Sequence, residues 1–191
     1  IFSRVLYERL RPILDPKQSP DQVGFRRDTS TVDALLVFEL MCGKAVEWNL
    51  GLWAASVDLT KAFDRVQHSA LFAALRRQGL DERYVALLAE MYDGQFGSLR
   101  GSRQFNIKRG VRQGDVLSPL LFNAALEDAV ARWKNGLAEH GWRLGSENSE
   151  RLTNMRFADD LMLYAKSERE LIHMIDSLQQ ELAASGLELN P

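Results

Sequence analysis

The amino-acid sequence predicts an α+β domain, in which a small antiparallel sheet is backed by helices on one face. Short apolar strands are predicted at residues 52–59 and on both sides of a tight turn within residues 155–164. Helical patterns follow at residues 68–78, 82–92 and 118–136. Local start and stop signals separate these elements, so their order can be assigned along the chain.

The first fifty residues predict two helices joined by a polar segment. Residues 5–10 have a helical pattern, and we expect this helix to stop before Pro12, because proline lacks the backbone N–H that a helix needs. Pro16 and Pro20 then lie in a polar stretch that is typical of a link between subdomains. Residues 30–33 resemble a capping box at the start of the second helix.

Four local signals place the remaining elements. The first is a basic hairpin over residues 96–112, with strands around 98–99 and 104–107. The second is a helix start at Ser118 and Pro119, where Ser118 can act as the cap. The third is a capping box at 167–170, whose helix ends at Gly186, and the fourth is a strand beginning at 187–189. Each signal rests on a residue whose side chain or backbone freedom suits a helix end or a turn.

Composition places the chain among globular proteins. Of its 191 residues, 46% are hydrophobic and 26% are charged, which suits one domain, or one and part of a second, and excludes disordered and fibrous classes. No apolar run approaches the roughly 20 residues that span a bilayer, so we expect no membrane association. The single cysteine, Cys42, cannot form an internal disulfide. Because the chain starts at Ile1 and no signal peptide is visible, we expect an intracellular fragment of a longer protein.

The distribution of charge is more informative than the net charge of −2. Residues 113–191 carry 7 Lys and Arg against 13 Asp and Glu, whereas residues 1–112 carry 17 against 13. The predicted basic hairpin holds five cations and no acid between its residues 100 and 112, with Phe105 among them. Such a run is either a solvated surface or a track for a phosphate backbone.

Three carboxylates stand where folding alone gives no reason to place them. Asp159 and Asp160 lie at the tip of the predicted hairpin, where their charges repel each other. Asp58 ends another apolar strand about a hundred residues earlier. A divalent cation would remove the repulsion. The three acids together predict a two-metal site for phosphoryl or nucleotidyl transfer.

Five segments in order resemble the motifs of reverse transcriptases. They are residues 22–27 (QVGFRR), similar to the fingers segment before motif A, 58–64 (DLTKAFD), similar to motif A, 110–123 (GVRQGDVLSPLLFN), similar to motif B, 157–160 (FADD), similar to motif C, and 185–190 (SGLELN), similar to the start of motif D. The Ala-Asp-Asp form is common in non-LTR retrotransposons. The resemblance covers nearly the whole chain.

The resemblance implies the right-hand palm of a polymerase with part of the fingers. Residues 1–50 would be partial fingers, and residues 51–191 would be palm, including fingers-derived helices and a hairpin over about 68–112. The thumb would be absent, as would the basic fingers strand before Ile1 and the Lys expected late in motif D. We therefore expect the fragment to fold but to polymerise poorly without its flanking regions.

The resemblance also implies roles for individual residues in an RNA-directed DNA polymerase. Asp58, Asp159 and Asp160 would be catalytic and would bind two Mg²⁺ ions, for which Mn²⁺ is a possible substitute, and the carbonyl of Leu59 would complete one shell. The further assignments are Phe63 as a gate against ribose, Gln113 and Gly114 at the incoming nucleotide, and Arg26, Arg112, Phe157 and Ala158 at nucleic acid. The partners would be an RNA template, a DNA primer and deoxynucleoside triphosphates.

Several alternatives stay open from the sequence. A group II intron-type reverse transcriptase also uses Ala-Asp-Asp. A viral RNA polymerase favours Gly before the paired acids and a small or acidic residue at the position of Phe63. A decayed palm serving as a nucleic-acid-binding scaffold usually loses an active-site Asp, whereas all three are present here. The sequence does not give the subfamily, the oligomeric state or the target site, and nuclear residence is expected only for a eukaryotic element.

Overall fold

The computed structural model describes residues 1–98, 104–137, 139–143 and 151–190. The helices of these residues are α1 (Phe2–Leu14), α2 (Thr31–Glu47), α3 (Ala62–Arg65), α4 (His68–Arg77), α5 (Glu82–Tyr92), α6 (Ser118–Gly136) and α7 (Glu168–Ala183). The strands are β1 (Trp53–Val57), β2 (Phe96–Gly97), β3 (Phe105–Asn106), β4 (Trp142–Arg143), β5 (Arg151–Leu152), β6 (Asn154–Phe157) and β7 (Asp160–Ala165). This element order confirms the predicted α+β class.

A three-stranded antiparallel sheet with the order β1-β7-β6 forms the centre of the fold. Alternate side chains of its strands point to opposite faces. Ala55 and Val57 of β1, together with Leu161 and Leu163 of β7, pack into the main hydrophobic core between the sheet and the helices. The predicted alternation along β1 is therefore confirmed, and it leaves Asp58 on the other face.

Helix α6 lies in the middle of the main core and contacts α1, α4 and α7. Residues on nearly all sides of it are buried, including Leu121, Phe122 and Trp133. The indole N–H of Trp133 donates to the carbonyl of Met174 in α7 at 3.0 Å, which satisfies the polar atom of a buried side chain. The sheet thus rests on a rigid helical layer.

The second face of the sheet is partly covered by α2, a helix that the prediction did not place there. Met41 of α2 packs with Met155 and Tyr164 in a second cluster, and the ring of Phe38 stacks on that of Tyr164 with 6.1 Å between centroids. Leu35, Leu36 and Leu40 of the same helix are 65%, 52% and 57% exposed. The cause is that only one narrow side of α2 meets the sheet.

Helix α1 continues through Pro12, so the predicted stop before this residue is wrong. Proline inside a helix costs about 3 kcal/mol, because a hydrogen bond is lost. Leu10 and Leu14, one turn apart, are both fully buried in the main core. Burying one leucine contributes roughly 1.5–3 kcal/mol, and this offsets much of the cost.

The predicted helix ends at Ser30 and Ser167 are confirmed. The side chain of Ser167 accepts from the N–H of Glu170, and Ser30 forms the predicted capping box with Asp33. Ser118 was expected to cap α6, but it lies inside the helix and donates to the carbonyl of Arg112. Asp115 accepts from the N–H of Leu117 instead. Local sequence could not choose between the two neighbouring caps.

The basic hairpin is present but shifted. Its first strand is Phe96–Gly97, two residues earlier than predicted, and its second is Phe105–Asn106. Leu99, Arg100 and Arg103 lie outside the described residues. None of the helices in the described parts of the chain is both long and apolar enough to cross a membrane.

Candidate active site

The hairpin between β6 and β7 closes with a two-residue turn, Ala158 and Asp159, which we call the acidic turn. Phe157 and Asp160 face each other across its base. Ala158 adopts a positive φ of 58°, which is the conformation that a two-residue hairpin loop requires at its first position. The turn therefore places Asp159 at the tip and Asp160 at the first position of β7.

Asp58 lies beside this turn, although it is about a hundred residues away in the sequence. Val57 pairs with Leu161, and the same antiparallel register places Asp58 opposite Asp160. Residues that are directly opposite in an antiparallel pair share a face, with Cβ atoms roughly 4.5–5.5 Å apart. Sheet pairing thus gathers Asp58, Asp159 and Asp160, which we call the acidic triplet.

The acidic triplet carries negative charge that no described side chain compensates. The pKa of Asp159 is raised by partial burial first and then by the charges of Asp160 and Asp58. Within the described residues, no ion pair joins Lys, Arg or His to these three carboxylates. Asp58 and Asp160 are both exposed, so their oxygens are accessible to a ligand.

A hard divalent cation fits this donor set. The described residues hold no group of three or more His, Cys, Asp and Glu arranged to hold a metal ion by themselves. Mg²⁺ is usually bound through one or two carboxylates, with water and substrate phosphates completing the shell, so a fully protein-built cage is not needed. Asp58 and Asp159 can supply such carboxylates.

Leu59 continues the chain beyond Asp58. The carbonyl of Asp58 accepts from Asn190 and the N–H of Thr60 donates to Glu188. Carbonyls alternate in direction along an extended strand, so that of Leu59 points away from this partner, towards the side of β7. Its predicted role as a metal ligand stays a prediction.

Two residues with predicted nucleotide contacts lie on elements next to each other: Phe63 is in α3 and Gln113 is in the loop before α6. The half-buried ring of Phe63 stacks on Phe122 with 4.5 Å between centroids. Gln113 donates from Nε2 to the exposed Asp64 at 2.9 Å. Gly114 has a φ of 82° and open space beside it. Their nucleotide contacts stay predictions.

Comparison with known proteins decides the family. The family model described as reverse transcriptase (RNA-dependent DNA polymerase) matches residues 1–191. The chain belongs to the reverse transcriptase family. A Pol polyprotein from the R2DM retrotransposable element of Drosophila melanogaster is 30% identical over 90% of this chain and 16% of its own length. The R2 Pol polyprotein of Nasonia vitripennis is 32% identical over 100% of this chain and 18% of its own.

Solved structures show the same fold. Telomerase from Candida albicans, solved with a fragment of telomeric RNA, matches 99% of this chain and 32% of its own with a TM-score of 0.65 at 15% identity. Apo telomerase from Candida tropicalis matches 99% of this chain and 34% of its own with a TM-score of 0.63 at 16% identity. The predicted palm-and-fingers fold is confirmed, and the similar Pol proteins confirm the predicted non-LTR type.

Two residues that were predicted to contact nucleic acid in this reverse transcriptase domain have internal partners. Arg26 donates from Nη1 to the carbonyls of Ser19 at 2.9 Å and Gln22 at 3.1 Å. Ala158 is 4% exposed and both of its backbone groups are bonded to Gln22, and its predicted contact with nucleic acid stays a prediction. Phe157 is half-buried against α2 and keeps only part of its ring accessible.

A basic groove adjoins Gln113. Its volume is about 930 Å³. Its lining includes Lys108, Arg109 and Arg112, three of the five cations of the basic run for which the sequence left a solvated surface and a phosphate track open. The guanidinium of Arg112 lies over the ring of Tyr92 at 5.5 Å and donates to the carbonyl of Met91. The groove therefore presents positive charge beside Gln113.

Sequence reasoning missed the residues that support the acidic turn. Gln22 is 0% exposed and bonds both backbone groups of Ala158. Asn123 donates to the carbonyl of Gly24 at 2.8 Å. These contacts join residues about a hundred positions apart or more, so no local pattern in the sequence could have indicated them.

Proposed function

We propose that this domain is the catalytic core of an RNA-directed DNA polymerase from a non-LTR retroelement. It would transfer a nucleotide from a deoxynucleoside triphosphate to the 3′-hydroxyl of a DNA primer on an RNA template. The observation that carries this proposal is the acidic triplet, whose carboxylates lie together at one face of the sheet. Among the described residues, no cationic side chain forms an ion pair with them. The chain spans about a sixth to a quarter of the R2 Pol relatives it matches, so the activity of the whole protein is part of the proposal.

In this proposal Asp58 and Asp159 bind the metal ions, with Asp160 beside them and the carbonyl of Leu59 completing one shell. When bound, a pair of Mg²⁺ or Mn²⁺ ions would lower the pKa of the primer hydroxyl and would neutralise charge on the leaving pyrophosphate. The acids lie on a sheet that rests on α6, which fixes their spacing.

Neighbouring residues select and orient the nucleotide. The ring of Phe63 packs on that of Phe122. In this proposal the ring would collide with a ribose 2′-hydroxyl, so deoxynucleotides would be favoured. Gln113 is oriented by its bond to Asp64 and can hydrogen-bond a sugar or base edge. The basic groove beside it attracts the phosphate backbone of the template.

Primer extension on an RNA template tests the proposal. The 191-residue chain and a longer polypeptide containing it are compared with Mg²⁺ present and absent, and we expect the chain alone to extend poorly. Asp159→Ala should reduce the rate by several powers of ten, each worth roughly 1.4 kcal/mol of barrier. Phe63→Ala should admit ribonucleotides while deoxynucleotide incorporation continues.

The assay also separates the alternative. If the longer polypeptide binds RNA but no protein preparation extends the primer with either metal, the domain is a nucleic-acid-binding scaffold and the polymerase proposal is wrong. Unchanged sugar discrimination in Phe63→Ala would contradict the gate alone and leave the reaction assignment intact.

A further inference from the structure

A buried glutamine lies directly against the acidic turn. Gln22 is 0% exposed and belongs to residues 21–24, which run alongside β6. Two backbone bonds join the segments: Val23 donates to the carbonyl of Arg156 at 2.8 Å, and Arg156 donates to that of Asp21 at 2.7 Å. The segment therefore acts as a short fourth strand at the β6 edge, ending next to the turn.

The side chain of Gln22 satisfies both backbone groups of Ala158. Its Oε1 accepts from the N–H of Ala158 at 3.1 Å and from that of Gly24 at 2.8 Å. Its Nε2 donates to the carbonyl of Ala158 at 3.3 Å. A buried backbone group without a partner is costly, so these bonds favour the observed conformation over others.

The conformation of Ala158 needs such support. Its φ of 58° lies in the left-handed region, which is disfavoured for residues that carry a Cβ atom. A disfavoured backbone conformation persists where several contacts from the surrounding structure hold it in place. Because Asp159 follows immediately, the backbone angles of Ala158 set the direction of the Asp159 carboxylate.

Gly24 and Asn123 fix the position of Gln22. A Cβ atom on Gly24 would lie 2.2 Å from the nitrogen of Ala158, which shows how closely the segment approaches the turn. Asn123, itself 3% exposed, donates from Nδ2 to the carbonyl of Gly24 at 2.8 Å. Asn123 lies on the central helix α6. Hydrogen bonds through Gly24 and Gln22 therefore connect the acidic turn to the core of the domain.

We propose that Gln22 is a positioning residue for the reaction: it fixes Ala158 in the left-handed conformation and so keeps the carboxylate of Asp159 beside those of Asp58 and Asp160. Gln22 does not touch the metal-binding oxygens and acts only through the backbone of the turn. The catalytic consequence rests on the proposed polymerase function, whereas the support of the turn can be measured independently.

The test replaces Gln22 by a residue of similar length that forms no amide hydrogen bonds, Gln22→Met. Gln78→Met is the matched control, because Gln78 also donates from a half-buried amide to a backbone carbonyl, that of Ala124 at 2.6 Å, but makes no bond to the acidic turn. Asn123→Ala is a milder variant that loosens Gly24 without touching Gln22. Urea unfolding establishes the folded fraction of each variant.

Two readouts are compared: hydrogen exchange of the Ala158 amide by NMR in the chain, and kcat and KM for deoxynucleotide in the longer active polypeptide. We expect Gln22→Met to speed exchange at Ala158 by about tenfold or more and to lower kcat by a similar factor, with KM changed less than about threefold, because a displaced carboxylate impairs the chemical step more than binding. Asn123→Ala should show a smaller change of the same kind, and Gln78→Met should show neither.

Unchanged exchange at Ala158 in Gln22→Met overturns the proposal, and so does faster exchange with a wild-type kcat. If Gln22→Met does not fold, Asn123→Ala decides by the same two readouts. If the wild-type polypeptide does not extend primers at all, the polymerase function and the catalytic role of Gln22 are wrong together, while the exchange data still show whether Gln22 supports the turn.

Discussion

Two groups of carboxylates lie close to β6, and they differ in whether a cation is paired with them. The first, which we call the paired cluster, joins Asp21 and Glu127 to the buried guanidinium of Arg156 at 3.2 and 2.7 Å and joins Asp21 to Lys134 at 2.6 Å. The second is the acidic triplet, with which no Lys, Arg or His of the described residues forms an ion pair. The pKa values of Asp21 and Asp159 move in opposite directions.

Burial alone would raise the pKa of Asp21, but the charges of Arg156 and Lys134 outweigh it and lower the pKa to about 2. Asp159 lacks such partners, and its pKa is raised. A carboxylate therefore stabilises the fold in the paired cluster and opposes it in the acidic triplet. The difference supports the proposal that the acidic triplet binds a positively charged ligand.

The largest expected effect comes from removing one acid of the triplet. Asp58→Asn keeps the size of the side chain but loses a metal-binding charge, so primer extension by the longer polypeptide should fall by several powers of ten, at about 1.4 kcal/mol each. Urea unfolding should show no loss of stability. Glu188→Gln is the control, because Glu188 lies beside the end of β1 but pairs with Arg65. Activity within tenfold of wild type would contradict the role of Asp58.

Removing the buried cation from the paired cluster should produce the opposite outcome. Arg156→Met leaves two partly buried carboxylates without their shared partner, so the free energy of unfolding should fall by about 3 kcal/mol or more. Arg83→Met removes an exposed pair with Asp81 and should change stability by less than about 1 kcal/mol. Equal effects in the two variants, measured by urea unfolding followed by circular dichroism, would show that the cluster is not stabilising.

The pH dependence of Asp21→Asn sharpens the comparison. Because the pKa of Asp21 is about 2 in the folded protein and 3.8 for an unperturbed aspartate, its contribution is present above pH 3.8 and is lost as the pH falls towards 2. We expect the variant to be less stable by about 2 kcal/mol at neutral pH. This difference should shrink between about pH 4 and pH 2. A difference that stays constant across that range would contradict the assignment.

The smallest effect concerns Asp159 and has the reverse sign. Its folded pKa is raised, so its favourable contribution is complete below pH 3.8 and is lost as the pH rises through the folded pKa. Without metal, Asp159→Asn should be more stable than wild type at pH 7, by less than about 1 kcal/mol because the group is partly solvated. Added Mg²⁺ should stabilise wild type more than the variant in a thermal melt. Lower stability of the variant in metal-free buffer would contradict the repulsion.

Much of the local structure could be predicted from the sequence because its causes are local. The caps at Ser30 and Ser167 satisfy free backbone groups within the next turn of the same helix. Gly186 follows the last turn of α7 with a φ of 77°, as a helix stop requires. The strand alternation that directs Asp58 away from the core follows from the period of two alone.

The resemblance to reverse transcriptases indicated which acids belong together. The strand register that puts Asp58 opposite Asp160, however, exists only in the assembled sheet. Helix α1 continues past Pro12 because the burial of Leu14 offsets the low helix propensity of proline. The narrow contact of α2 with the sheet leaves Leu35 exposed.

The sequence by itself determined the type of each main element, the presence of a tight turn within residues 155–164 and the presence of three carboxylates suited to metal, whereas Asp160 proved to be the first residue of β7 and not part of the turn. Only the tertiary structure decided which polar groups meet. Gln22 reaches Ala158 across 136 positions, and Arg156 reaches Asp21 across 135. The physical reason is that buried amides and charges must find partners wherever the packed backbone presents them, and that geometry exists only after the helices and the sheet have come together.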